Sequence, residues 1–227
     1  MDRKAILYTL TAALLAFIAI MLFPGERPDE GPPRLPWDVA VDSQGRTQVF
    51  GLTLGESTLA EVQALFREEG EISLFRSEQG QYTAESYFQQ IYLSRLRADF
   101  VVTLDAPQET LARMYEHGLR VSKLPSGSNR IKLDPIDVGT LTQTPIRHIT
   151  YLPMSKLPED LLEHRFGVPA ERITEADSGI VHWIYPDKGL DLARDPKGKV
   201  VIQYVNPEDM PGLVQALRGG LTRQRPG

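Results

Sequence analysis

Gln48-Val49-Phe50-Gly51-Leu52-Thr53-Leu54-Gly55-Glu56-Ser57-Thr58-Leu59-Ala60-Glu61-Val62-Gln63-Ala64-Leu65-Phe66 is the stretch on which the fold reading turns. An apolar lead, Val49 to Gly55, runs into Ser57-Thr58. Thr58 and Glu61 stand at capping-box spacing, where each side chain serves a backbone donor at the start of a helix. Leu59, Val62, Leu65 and Phe66 then recur at helical spacing and define one buried stripe. The helix is expected to end near Gly70. From Gln48 onward the chain reads as globular.

Downstream the pattern changes period. Tyr82 to Leu93 is rich in aromatic residues and Ala98 to Leu104 in β-branched and apolar ones, so both read as strands. Pro107 opens a second helix, with Leu111, Met114 and Tyr115 on its apolar face and Gly118 as its stop. A second round follows. Arg130 to Leu133 and Ile146 to Leu152 read as strands around a turn-rich stretch. A helix from Pro158 carries Leu161, Leu162 and Phe166 and ends at Gly167 and Pro169. Ile180 to Tyr185, Leu190 to Ala193 and Val200 to Val205 read as strands joined by Pro-Asp-Lys-Gly and Asp-Pro-Lys-Gly turns. A last helix, beginning near Asp209, ends at Gly219-Gly220. The two rounds share the order helix, antiparallel strands, helix. They suggest a diverged duplication and an α+β fold of two tandem helix-plus-antiparallel-sheet modules, residues 48–144 and 145–220, with a loose tail at 221–227.

Upstream, residues 5–23 form a 19-residue apolar run interrupted only by Tyr8, Thr9 and Thr11. That length matches a membrane span of about 20 residues. It exceeds the about 7–15 residues of a signal-peptide core, and no small-residue cleavage site follows. The expectation is therefore an uncleaved single transmembrane helix after a short N-terminus, residues 1–4. Arg3 and Lys4 place that N-terminus in the cytoplasm by the positive-inside rule. In a Gram-negative host this means an inner-membrane, single-pass protein with its C-terminal part in the periplasm. Residues 24–47, with five prolines, read as a stalk, of which Trp37, Val39 and Val41 can dock onto the domain or form a first short strand.

Composition narrows the function classes. A hydrophobic fraction of 41% is enough for a core, so wholesale disorder is excluded. The net charge of −5 and the lack of a long basic stretch argue against nucleic acid as partner. With no cysteine, disulfides, a lipidated cysteine, thiolate metal sites and cysteine catalysis are excluded.

Gly51 to Val62, the Phe166-Gly167-Val168-Pro169 helix end and the strand with Trp183 and Tyr185 resemble the small exported modules of the outer-membrane assembly lipoprotein (SmpA/OmlA) and β-lactamase-inhibitor-protein type. The resemblance covers two stretches of 30–40 residues. It implies a protein-binding surface rather than an enzyme. The missing lipidated cysteine departs from the assembly lipoproteins and sets a role in outer-membrane assembly aside.

Catalytic signatures are lacking. The histidines, His117, His148, His164 and His182, show no two-ligand helical spacing. His148 and His182 lie in expected strands and would be a zinc pair only with a third ligand, which cannot be named. Phosphate-loop, dinucleotide and serine-elbow motifs do not occur, so no cofactor or catalytic residue is assigned. Carboxylates such as Glu159 and Asp160 are explained by a helix N-terminus. The aromatic strands remain. Tyr87, Tyr92, Trp183, Tyr185 and Tyr204 are the candidate protein-binding surface, with Phe88 and Trp183 also the best candidates for core. The expected function is an envelope adaptor that binds another envelope protein and leans away from catalysis. The alternatives are a binder of a small envelope ligand, lipid or peptidoglycan fragment, and an envelope hydrolase.

Overall fold

Ten antiparallel strands lie side by side, from Glu171–Thr174 at one edge to Arg120–Lys123 at the other, in a computed structural model of the chain. The structure describes residues 32–125 and 127–223. The chain divides into two units, Met1–Pro33 and Arg34–Gly227, and the sheet belongs to the second.

The capping box at Thr58 and Glu61 forms and starts α1 (Leu59–Phe66), which buries Leu59, Val62 and Phe66. An antiparallel meander follows, made of β4 (Glu71–Arg76), β5 (Tyr82–Leu93) and β6 (Leu96–Leu104), and then α2 (Gln108–Glu116). β7 (Arg120–Lys123), β8 (Asn129–Lys132) and α3 (Pro135–Thr142) close the first half. β9 (Ile146–Pro153), α4 (Glu159–Phe166), β10 (Glu171–Thr174), β11 (Val181–Tyr185), β12 (Leu190–Arg194), β13 (Val200–Tyr204) and α5 (Met210–Arg223) form the second.

Two separate modules are therefore corrected to one sheet. The meander β4-β5-β6 runs inward from one side and β10-β11-β12-β13 from the other, and β9 joins them by pairing with β6 and β13. The β6–β9 ladder runs from Ala98 opposite Pro153 to Leu104 opposite Ile146. Splitting the halves would expose that ladder in the middle of the core.

The N-terminal expectations are corrected as well. The proposed spanning segment, residues 5–23, lies outside the described residues, and no helix among the described residues is long and apolar enough to cross a membrane. The inner-membrane, single-pass placement is accordingly withdrawn. Part of the expected stalk is instead structured. Ala40–Val41 (β1) pairs with Thr47–Val49 (β2), which pairs with Leu52–Thr53 (β3). Trp37 and Val39 pack against the core, and the Pro36 carbonyl accepts a 2.7 Å bond from the Tyr204 hydroxyl. At the other end, α5 passes through Gly219-Gly220 to Arg223, where a loose tail was expected.

Strand alternation sorts the side chains. In β6, Ala98, Phe100, Val102 and Leu104 are buried while the residues between them are half-exposed. Through the ladders the same face collects Phe88, Tyr151, Ile202, Tyr204, Leu192 and Trp183. These residues share one apolar core with Phe66 of α1, Leu111 of α2 and Phe166 of α4. Phe66 lies 5.1 Å from Phe88 and 4.6 Å from Phe100 between ring centroids, within the range of favourable aromatic pairs.

Candidate functional site

The opposite face of the sheet has a different fate. Across its middle, Tyr87, Val101, Thr150 and Gln203 stand in register on β5, β6, β9 and β13. One step along the strands, Glu85, Thr103 and His148 form a parallel row. All seven are half-buried or exposed. Helix α5 covers only one end of this face, where Ile173, Ile184, Val205 and Met210 form a small second core with Leu213, Val214 and Leu217.

The candidate aromatic residues divide between the two faces. Tyr87 and Tyr92 lie on the open face, 37% and 70% exposed. The Tyr87 hydroxyl donates to Asp99 at 2.9 Å, and that bond and burial raise its pKa. Tyr92 is opposite Arg97, whose guanidinium lies 5.6 Å from the ring centroid. Leu152 is opposite Asp99, and Met154, 48% exposed, donates its backbone N–H to the Arg97 carbonyl. A bulge between Phe88 and Ile91, with Gln90 at φ 56°, keeps Tyr92 beside this group.

Tyr185 and Tyr204 are corrected from candidate surface to core, and Trp183, which is open to both readings in the sequence, lies in the core. Trp183 is buried beneath the Arg172 guanidinium, 4.3 Å from its ring. The Tyr185 hydroxyl donates to the Gly167 carbonyl at 2.9 Å, and burial pushes its pKa up to about 12. Tyr204 is fully buried, which raises its pKa well above the ordinary value.

A trough crosses the other end of the open face. It joins a cleft of about 600 Å³ beneath α5 to a second of about 390 Å³ near the start of α2, and Arg147, His148 and Gln203 line both. Val205, Leu213, Ala216 and Leu217 form the apolar wall of the first cleft. Arg147 donates to Asp209 at 3.0 Å, and that hydrogen bond raises the Arg147 pKa. His148 Nε2 lies 3.5 Å from Asp209, but burial outweighs that attraction and holds its pKa below the ordinary value. Glu85 lines the second cleft with Asp105. Burial raises the Glu85 pKa, and no hydrogen bond or ion pair to its carboxylate occurs among the described residues.

His182 is the other buried titratable group. Its Nδ1 lies 2.9 Å from Asp191, which is 2% exposed, and its Nε2 lies 3.3 Å from Glu175. Burial lowers its pKa, but bonds and charge from Asp191 and then Glu175 outweigh this and raise it overall. The two histidines thus serve different carboxylates. Among the described residues, no serine or threonine hydroxyl bonds to either, and no group of three or more His, Asp or Glu side chains is placed to hold a metal ion.

Sequence reasoning missed Glu85, Arg147, Gln203 and Asp209. Their only signal was parity: Glu85 and Tyr87 alternate with the buried Ala84, Ser86 and Phe88 in one strand. No protein-family model, curated protein or solved structure matches the chain.

Proposed function

We propose that this chain is a protein-binding module whose open sheet face receives the partner. The observation that carries this reading is the asymmetry of the sheet. Helices α1, α2 and α4 cover one face, while the middle of the other is left bare with Tyr87, Tyr92, Arg97, Leu152 and Met154 clustered on it. Tyrosine and arginine dominate binding energy at interfaces, because each offers a large rigid contact area with a polar handle. Methionine is enriched there too. The resemblance of Gly51 to Val62 to exported protein-binding modules supports the same reading. Catalysis is less well served. Glu85 and His148 are separated by β6, about 10 Å at strand spacing, and a nucleophile–base pair is missing among the described residues.

A photocrosslinking amino acid placed at Tyr92, in intact cells, tests this. A discrete adduct with one protein is expected from position 92 and not from Val168, which is 92% exposed and lies beyond α4. Equal, diffuse adducts from both positions would contradict the reading. Where the adduct forms, Tyr92→Ala and Arg97→Ala should each weaken the purified complex by about 30-fold, the scale of a hot-spot residue.

A further inference from the structure

We propose that the trough holds an extended segment of the partner, with an apolar side chain seated beneath α5 and a lysine or arginine about four residues away reaching Glu85. This rests on the protein-binding reading and specifies what the partner offers.

Three observations carry it. The first is length. From Glu85 on β5 the trough crosses β6 and β9 and reaches Val205, just past β13. Three strand spacings make about 14 Å, which an extended chain covers in about four residues. The second is the chemistry of the two ends. Val205, Leu213, Ala216 and Leu217 make one end apolar. Glu85 and Asp105 make the other acidic; neither carboxylate has a hydrogen bond or close ion pair among the described residues, and Asp105 acts on Arg147 and His148 through its charge alone, while Glu85 feels only burial. Arg147 is the one cation lining either cleft among the described residues, and it is engaged by Asp209. The trough therefore has uncompensated negative charge, which selects a cation and repels phosphate. The third is the floor. Thr103, His148 and Gln203 present side-chain donors and acceptors between the two ends, where an extended backbone needs partners of its own.

Glu85 gives the inference a signature that a misfolded variant cannot copy. Its ionised form is disfavoured by burial, so its folded pKa is raised. For a carboxyl group this means stability is lost as pH rises through that value. Glu85→Gln should then raise the urea midpoint at pH near 7 while removing the contact to the incoming cation. A ligand cation favours the ionised form, so binding should release a proton and weaken as pH falls toward the carboxylate range.

The probe is a pool of acetylated pentapeptides with leucine first, lysine fifth, and serine, threonine or glycine between. It is titrated into the full-length chain by heteronuclear NMR. Shifts are expected at the amides of Thr103, His148, Gln203 and Leu213 and not in β7. Replacing the lysine by glutamate should abolish them, and replacing the leucine by serine should weaken them about tenfold. Glu85→Gln should weaken binding at least tenfold while stabilising the fold. Free spermidine should shift the Glu85 end alone, and equal binding by spermidine and the pool would overturn the requirement for a peptide. Equal affinity of wild type and Glu85→Gln, or no shift in the trough at all, would overturn the inference. In that event a discrete adduct at position 92 leaves the protein-binding reading standing, and its absence removes both.

Discussion

Phe50 and Gly51 form the two-residue turn between β2 and β3 with φ of 58° and 81°. Both values are positive, as in the type I′ turns that suit antiparallel hairpins and normally carry Asn-Gly. A phenylalanine there is held in the left-handed region at a cost of about 1–2 kcal/mol. What offsets the strain is burial. Phe50 is 2% exposed, and its ring centroid lies 5.3, 5.6 and 5.5 Å from those of Phe100, Tyr151 and Tyr204. Phe50→Ala removes the ring and keeps the strain, so it should cost about 3–5 kcal/mol. Phe50→Gly removes the ring and the strain together. Part of that gain is lost to the greater freedom of unfolded glycine, about 0.5–1 kcal/mol. The glycine variant should therefore match or exceed the alanine variant in stability, by up to about 1.5 kcal/mol. Phe100, also buried but on a regular strand, should show the opposite order, with Phe100→Gly the worse of the two. Urea unfolding followed by the fluorescence of Trp37 and Trp183 measures all four changes on one scale. If Phe50→Gly proves clearly less stable than Phe50→Ala, the turn is not strained as argued. A cost below about 1 kcal/mol for Phe50→Ala would refute its place in the core.

Other outcomes follow from the same packing and charge. Phe66→Ala and Phe166→Ala, on helices α1 and α4, should each cost about 3–5 kcal/mol in urea unfolding, and unchanged midpoints would sink the assignment of both helices to the core. His182, its pKa raised in the folded state by Asp191 and Glu175, binds a proton more tightly there than in the unfolded chain. Its contribution is complete below about pH 6.5 and is lost as pH rises through the raised value, so His182→Gln should flatten that part of the stability profile. Parallel profiles for wild type and variant would show that the buried cluster does not couple to folding. His148 should act in the opposite sense, because burial lowers its pKa and makes its protonation destabilising as pH falls below about 6.5. Loss of that decline in His148→Gln is the corresponding check.

Local signals were legible because they are carried by neighbours in sequence. The capping box at Thr58 and Glu61, the stripe of Leu59, Val62 and Phe66, and the alternation in β6 each depend on a handful of adjacent residues. Several short elements were not legible. Glu71–Arg76, Arg120–Lys123 and Glu171–Thr174 carry charge and little alternation, and each becomes a strand by pairing with a stronger neighbour. Pro135–Thr142 looked like turns because of its proline and glycine, yet Asp134 caps it and the proline sits in the first turn, where its missing N–H costs nothing. The joining of the two halves was hidden for a different reason. Apolar alternation in β6 and β9 says that each has one buried face, and it says the same whether β9 pairs with β6 or begins a separate sheet. Hydrogen bonding along strand edges leaves no pattern in side-chain polarity.

That joining also decides which aromatic residues are available for binding. Tyr87 and Phe88 are neighbours in β5, as His182 and Trp183 are in β11, and within each pair alternation sends one residue to the covered face. In β5 the residue on the open face is Tyr87, since Phe88 faces Phe66. In β11 the covered face receives Trp183 and Tyr185, and the residue on the other face is His182, buried between Asp191 and Glu175. The C-terminal helix covers the β11 side of this face, so the exposed tyrosines lie only on the β5 side. The trough lies where the covered part of the face gives way to the bare part, with the apolar side of α5 on one flank and the unpaired carboxylate of Glu85 on the other. A helix that shields one end of a sheet face thereby creates both the flat patch it leaves uncovered and the groove along its own edge.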